Sequence, residues 1–99
     1  MKKILLVCSA GMSTSIVVKK MQGAAEKGGI DAEIWAVAEA VAKENIEKAD
    51  VVMLGPQVKF LLEKMKGLAE GKPVEIIDMK DYGMMNGEAI LNQALKALK

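Results

Sequence analysis

Lys3-Ile4-Leu5-Leu6-Val7-Cys8-Ser9-Ala10-Gly11-Met12-Ser13-Thr14-Ser15 is the stretch from which the rest of the chain can be read. Residues 4–7 are wholly apolar, Cys8 is the only cysteine, and small and hydroxyl residues follow before a helical pattern begins. The order is strand, tight loop, helix start. A helix start presents unpaired backbone N–H groups and the positive end of the macrodipole, so it is suited to a dianionic phosphoryl group. It also favours the thiolate of a neighbouring cysteine, which makes Cys8 a candidate nucleophile. Gly11 permits the positive φ that turns successive N–H groups inward as an anion nest. Cys8 is therefore expected to accept a phosphoryl group covalently. Ser9, Ala10, Gly11, Met12, Ser13, Thr14 and Ser15 would form the phosphate loop. The competing reading of a lone cysteine after an apolar strand is a small core residue. The glycine and hydroxyls that follow weigh against it, because they are poor core packers.

Composition narrows the chemistry around that loop. Ninety-nine residues are expected to form a single domain over 1–99, long enough to bury a core without disulfides or metal. One cysteine cannot form an internal disulfide, which fits a reducing compartment. A net charge of +1 gives no nucleic-acid footprint, and Trp35, Phe60 and Tyr82 are too few for base-stacking platforms. The chain has no histidine, which removes Cys-His and Ser-His pairs and the commonest zinc ligand. All 14 basic side chains are lysines, so the usual bidentate phosphate clamp is missing too. Phosphate chemistry here has to rely on backbone N–H groups, hydroxyls and lysine, with no metal and no cofactor. The apolar segment before Cys8 is shorter than the about 7–15 residues of a secretory signal. No run approaches the about 18 apolar residues of a membrane span. A cytoplasmic protein without direct membrane insertion is expected, and a monomer.

Outward from the loop, strand, loop and helix repeat four times. A helix over 13–27 carries Val17, Val18, Met21, Ala24 and Ala25 on one face and stops at Gly28-Gly29. A half-exposed strand covers 31–37. A helix within 38–48 is expected to turn Val41, Ile46 and Ala49 inward. A fully apolar strand at 51–54 leads through Gly55-Pro56-Gln57, with Pro56 at a first helical position. A helix then runs to about residue 70 with Val58, Leu61, Leu62, Met65 and Leu68 on one face. The fourth strand is 74–77, residues 78–86 read as a loop, and a last helix over 87–98 buries Ile90, Leu91, Ala94, Leu95 and Leu98. The methionines are core fillers by default; Met12, Met84 and Met85 fall in loops and escape that explanation. The Lys19-Lys20 pair and the Lys64, Lys66 pair read as solvated helix faces.

Such alternation implies an α/β fold with a parallel sheet and helices on both faces. The wholly apolar first and third strands belong at the centre and the mixed second and fourth at the edges. The order is then 2-1-3-4, a flavodoxin-like arrangement shared with small cysteine phosphatases. Ligands in such sheets bind beyond the strands' carboxyl ends at the switch point, here between the first and third strands. The loops meeting there are 8–13 and 55–57, so the chemically unusual stretch coincides with the expected site.

Three functions suit a phosphate loop headed by cysteine. A small cysteine phosphatase places an arginine six residues after the nucleophile, where this chain has Thr14. A nucleotide binder would show a Walker lysine or Gly-x-Gly-x-x-Gly, and neither is present. The third is a phosphoryl relay, in which the thiolate takes phosphate from one protein and passes it on. In-line transfer needs mainly positioning and charge stabilisation, which N–H groups and the Ser13, Thr14 and Ser15 hydroxyls can supply. Each hydroxyl could equally cap the helix. A reversible phosphate- or mononucleotide-binding module remains the alternative, and the phosphatase ranks third. Gln57 is a further candidate at the border of the site, the plainer reading being an exposed helix-start residue. Asp78 reads as a turn or cap residue.

The segment from Val7 to Ser15 resembles the active-site loop of the IIB component of the phosphoenolpyruvate-dependent sugar phosphotransferase system, lactose/cellobiose family. Leu54-Gly55-Pro56-Gln57, Lys72-Pro73-Val74 and Asp81-Tyr82-Gly83 resemble further segments of that family, and the loop is closer to its cellobiose and diacetylchitobiose branch than to its lactose branch. The resemblance implies that Cys8 is phosphorylated by a phosphohistidine of a IIA protein. It implies transfer onward to a sugar held by a membrane IIC permease: cellobiose, diacetylchitobiose or a related β-glucoside. Met12 and the segment from Tyr82 to Met85 would then form an apolar rim for partners.

Overall fold

The apolar runs at 4–7 and 51–54 lie side by side at the centre of a four-stranded parallel sheet. The computed structural model describes residues 1–8 and 12–98, with backbone alone for Met12 and Ser13. The strands are β1 (Lys2–Cys8), β2 (Ala32–Ala38), β3 (Val51–Leu54) and β4 (Val74–Ile76). Their order is β2-β1-β3-β4, as expected from the burial argument. In β1 and β3 both alternating sets of side chains meet helices, which is why neither strand carries a polar residue at its centre. Ile4, Leu6 and Met53 belong to one core cluster. Leu5, Val7, Val52 and Leu54 belong to a second.

The first cluster is covered by α1 (Met12–Lys27) and α5 (Gly87–Ala97), which bring in Val17, Met21, Ile90, Leu91 and Ala94. Their axes come close where Gly87 passes α1: a Cβ there would stand 2.4 Å from the Lys20 carbonyl carbon. The second cluster is covered by shorter pieces, α2 (Ala42–Ile46) and α3 (Leu62–Ala69), with Ala42, Ile46, Val58, Leu61, Met65 and Ala69 buried.

Three local expectations are corrected. Val41 is exposed, and Ala42 takes the inward position beside Ile46 and Ala49. Residues 39–41 form a tight 3-10 turn before α2, which changes the phase of the helix. The turn is held by Asn45, which donates to the Val41 carbonyl at 2.8 Å and accepts from Trp35 Nε1 at 2.9 Å. The helix expected from Pro56 onward is a 3-10 segment over Pro56–Leu61 followed by α3, with Val58 at φ −118° between them. Val58, Leu61 and Met65 still turn inward, and Leu62 and Leu68 do so in part. The expected loop 78–86 contains a helix, α4 (Met79–Gly83). The Asp78 carboxylate caps it, accepting from the N–H groups of Lys80 and Asp81.

Candidate active site

β1 extends beyond its neighbour at the carboxyl end. Val7 pairs with Leu54, the last residue of β3, and Cys8 pairs only with Ala38 of β2. The Gly55 N–H closes the β3 side by donating to the Val7 carbonyl at 3.0 Å. Cys8 thus sits at the switch point of the sheet, the place where such folds bind ligands. It is 6% exposed, and its sulfur lies 3.8 Å from the Val37 carbonyl oxygen. Three residues separate it from the first turn of α1.

That first turn carries no acidic side chain. The other α-helices each place one in theirs: Glu44, Glu63, Asp81 and Glu88. Carboxylates there offset the positive end of a helix dipole. α1 leaves its own positive end without such a side chain, on the helix that starts beside the cysteine.

Of the proposed phosphate loop, Ser9, Ala10 and Gly11 lie outside the described residues, as do the side chains of Met12 and Ser13. Met12 opens α1 instead of lying in the loop. Thr14 is 3% exposed, and its hydroxyl meets the Tyr82 hydroxyl at 2.8 Å. Ser15 is exposed. Gln57 is exposed as well, and its amide Nε2 donates to the same Tyr82 oxygen at 3.0 Å. The structure therefore joins Thr14 and Gln57, named separately from the sequence, through a tyrosine read there as part of a family segment and of a rim. The available signal was that the sole tyrosine follows the fourth strand, at the end of the sheet where ligands bind. Among the described residues, no group of three or more His, Cys, Asp and Glu side chains is placed to hold a metal ion.

A nucleophilic side chain, a helix start and hydroxyls at the switch point suit phosphoryl chemistry, and comparison with known proteins agrees. The family "PTS system, Lactose/Cellobiose specific IIB subunit" matches residues 3–93. The chain belongs to this family. IIB components of these systems are phosphotransferases that deliver a phosphoryl group to sugar. The chain is 49% identical to the oligo-beta-mannoside-specific EIIB component of Bacillus subtilis (strain 168), covering 99% of this chain and 97% of that one. It is 46% identical to the cellobiose-specific EIIB component of Lactococcus lactis subsp. lactis (strain IL1403), covering 94% and 93%. The solution structure of a cellobiose-specific phosphotransferase IIB component from Borrelia burgdorferi superposes with a TM-score of 0.82 at 42% identity, over 98% of this chain and 91% of that one. The IIB family partners are IIA and IIC proteins. Among the described residues, no helix is long and apolar enough to cross a membrane.

Proposed function

We propose that Cys8 carries the phosphoryl group of this IIB component. The observation that supports it best is the position of Cys8. It ends a central strand at the switch point, with three residues between it and a helix whose first turn holds no carboxylate. In the first half-reaction the Cys8 thiolate attacks the phosphorus of a IIA phosphohistidine. The S–P bond forms, the N–P bond breaks, and its electron pair returns to the imidazole. In the second, a sugar hydroxyl oxygen attacks the same phosphorus. The O–P bond forms, the S–P bond breaks, the thiolate is restored and the hydroxyl proton is released. Backbone N–H groups from Ser9 to Ser15 cradle the dianion between the two steps, aided by the dipole of α1. Gln57 borders the site. The chain works as one cytoplasmic, monomeric phosphotransfer unit over residues 1–99.

Exposed apolar side chains favour docking at this end of the sheet. Ile16, Val41, Phe60 and Met79 are all exposed, and each stands in a segment leaving the carboxyl end of a different strand. Met84 is exposed on the turn before α5, whereas Met85 packs partly against the core. A IIA donor and a IIC permease would share this surface in turn, since each must reach the same sulfur. The sugar is a β-linked disaccharide. Cellobiose and an oligo-β-mannoside come first because two of the similar proteins are named for them, a third being named for galactose, followed by diacetylchitobiose and other β-glucosides.

The test is intact mass after incubation with phosphoenolpyruvate, the general phosphotransfer proteins and a cellobiose-type IIA. A gain of one phosphoryl group, stable until IIC membranes and sugar are added and absent from Cys8→Ser, is the expected result. No gain, with the IIA shown to be phosphorylated, would refute the assignment.

A further inference from the structure

The first turn of α1 and the segments after β3 and β4 meet at one phenol oxygen. Tyr82 follows an edge strand, yet its hydroxyl reaches past β3 to Thr14, 68 positions away in sequence and in the first turn of α1. On the way it accepts a hydrogen bond from Gln57, in the segment after β3. We propose that Tyr82 is a positioning residue for phosphoryl transfer: it holds the first turn of α1 in register with the segment after β3. The proposal rests on Cys8 being the phosphoryl acceptor.

Each end of this linkage is anchored independently. The Tyr82 ring packs against the core cluster of Ile4, Val17 and Ile90. Its backbone N–H donates to the Asp78 carbonyl at 2.9 Å, in the helix that the Asp78 carboxylate caps. Thr14 is nearly fully buried, so a hydroxyl left without a partner there would be costly. Gln57 reaches the phenol because residue 55 has no side chain. A Cβ on Gly55 would lie 2.7 Å from Gln57 Oε1, inside contact distance. Gly55 has φ −62°, which any residue adopts, so the backbone does not demand glycine there. The space does.

The physical consequence concerns orientation. Donors that stabilise a transferring phosphoryl group act through being fixed before the reaction. A helix start that shifts by a fraction of an ångström misdirects them, and a misplacement of about 1 Å can cost about a hundredfold in rate. A tyrosine bridging α1 to the segment after β3 removes that freedom.

Tyr82→Phe keeps the ring in the core and deletes only the hydroxyl. Single-turnover transfer from a phosphorylated cellobiose-type IIA, followed by rapid quench and intact mass, separates the effects. The maximal rate should fall about tenfold, with the half-saturating IIA concentration unchanged and the fold intact by circular dichroism. Thr14→Val should lose a similar factor, and the double variant should be no slower than the slower single one, because both remove one coupled bond. Multiplying losses in the double variant would overturn the coupling. So would a wild-type maximal rate in Tyr82→Phe, whether accompanied by a lower melting temperature or by weaker IIA saturation. Failure of the wild-type chain itself to gain phosphate would instead refute the Cys8 assignment, and this proposal with it. Normal phosphorylation of both wild type and Tyr82→Phe would leave Cys8 standing and remove only the tyrosine's role.

Discussion

The two ends of the sheet are closed in opposite ways. At the amino end the chain turns back through polar and left-handed residues. Gly29 (φ 67°) precedes β2, and Glu70 (φ 49°) with Gly71 (φ 94°) precedes β4. The Asp50 carboxylate accepts from the Lys3 N–H at 2.9 Å. The Lys72 ammonium donates to the carbonyls of Ile46 and Glu47 at the end of α2. At the carboxyl end more of the large apolar side chains are exposed. Exposed apolar side chains stand at Ile16, Val41, Phe60 and Met79, while the hydroxyl of Thr14 is buried. Polar groups facing water and apolar groups inside are what a folded chain needs for its own stability. On the proposed function this end meets a phosphoryl group and two protein partners in succession, so the amino end would serve the fold and the carboxyl end the reaction.

Substitutions can break or sharpen that division. The largest effect on stability is expected at neither end, but in the scaffold joining them. Gly87→Ala drives a methyl group into the backbone of Lys20 and Met21, which cannot rotate away. It should cost about 1–3 kcal/mol in urea unfolding, and transfer per folded molecule should stay at the wild-type level. A slower transfer step would mean that the scaffold and the site are coupled. Next, Phe60→Asp removes a 75% exposed ring that the isolated fold hardly uses. Stability should move by no more than about 0.5 kcal/mol. Half-saturation by phosphorylated IIA should weaken by about 1–2 kcal/mol, the scale of an aromatic contact at an interface. Unaltered saturation would remove Phe60 from the docking surface. The smallest change belongs to the amino end. Asp50→Ala deletes one exposed hydrogen bond to Lys3, costing about 0.5–1 kcal/mol, with no effect on either half-reaction. A transfer defect there would dissolve the contrast between the two ends.

Legibility in the sequence followed the same division. The strands at 4–7 and 51–54 are readable because burial on both faces excludes polar residues, and that composition survives in any context. The helix over 13–27 shows its stripe because Val17, Val18 and Met21 all face one cluster. The break at Val58 could not be read: a 3-10 segment joined to a helix keeps Val58, Leu61 and Met65 inward just as one helix would. α4 was missed because Met79-Lys80-Asp81-Tyr82-Gly83 has no apolar period, and it carries no fully buried residue. Only its cap, Asp78, announced it.

The sequence by itself determined the sheet order and the switch point with Cys8 beside it, since these follow from local composition and from how apolar strands must be buried. The meeting of Thr14, Gln57 and Tyr82 was decided by tertiary structure alone. Their hydrogen bonds join positions 25 and 68 residues apart. No local pattern specifies such a bond; it exists only once the order of the strands has brought three separate loops to the same end of the sheet.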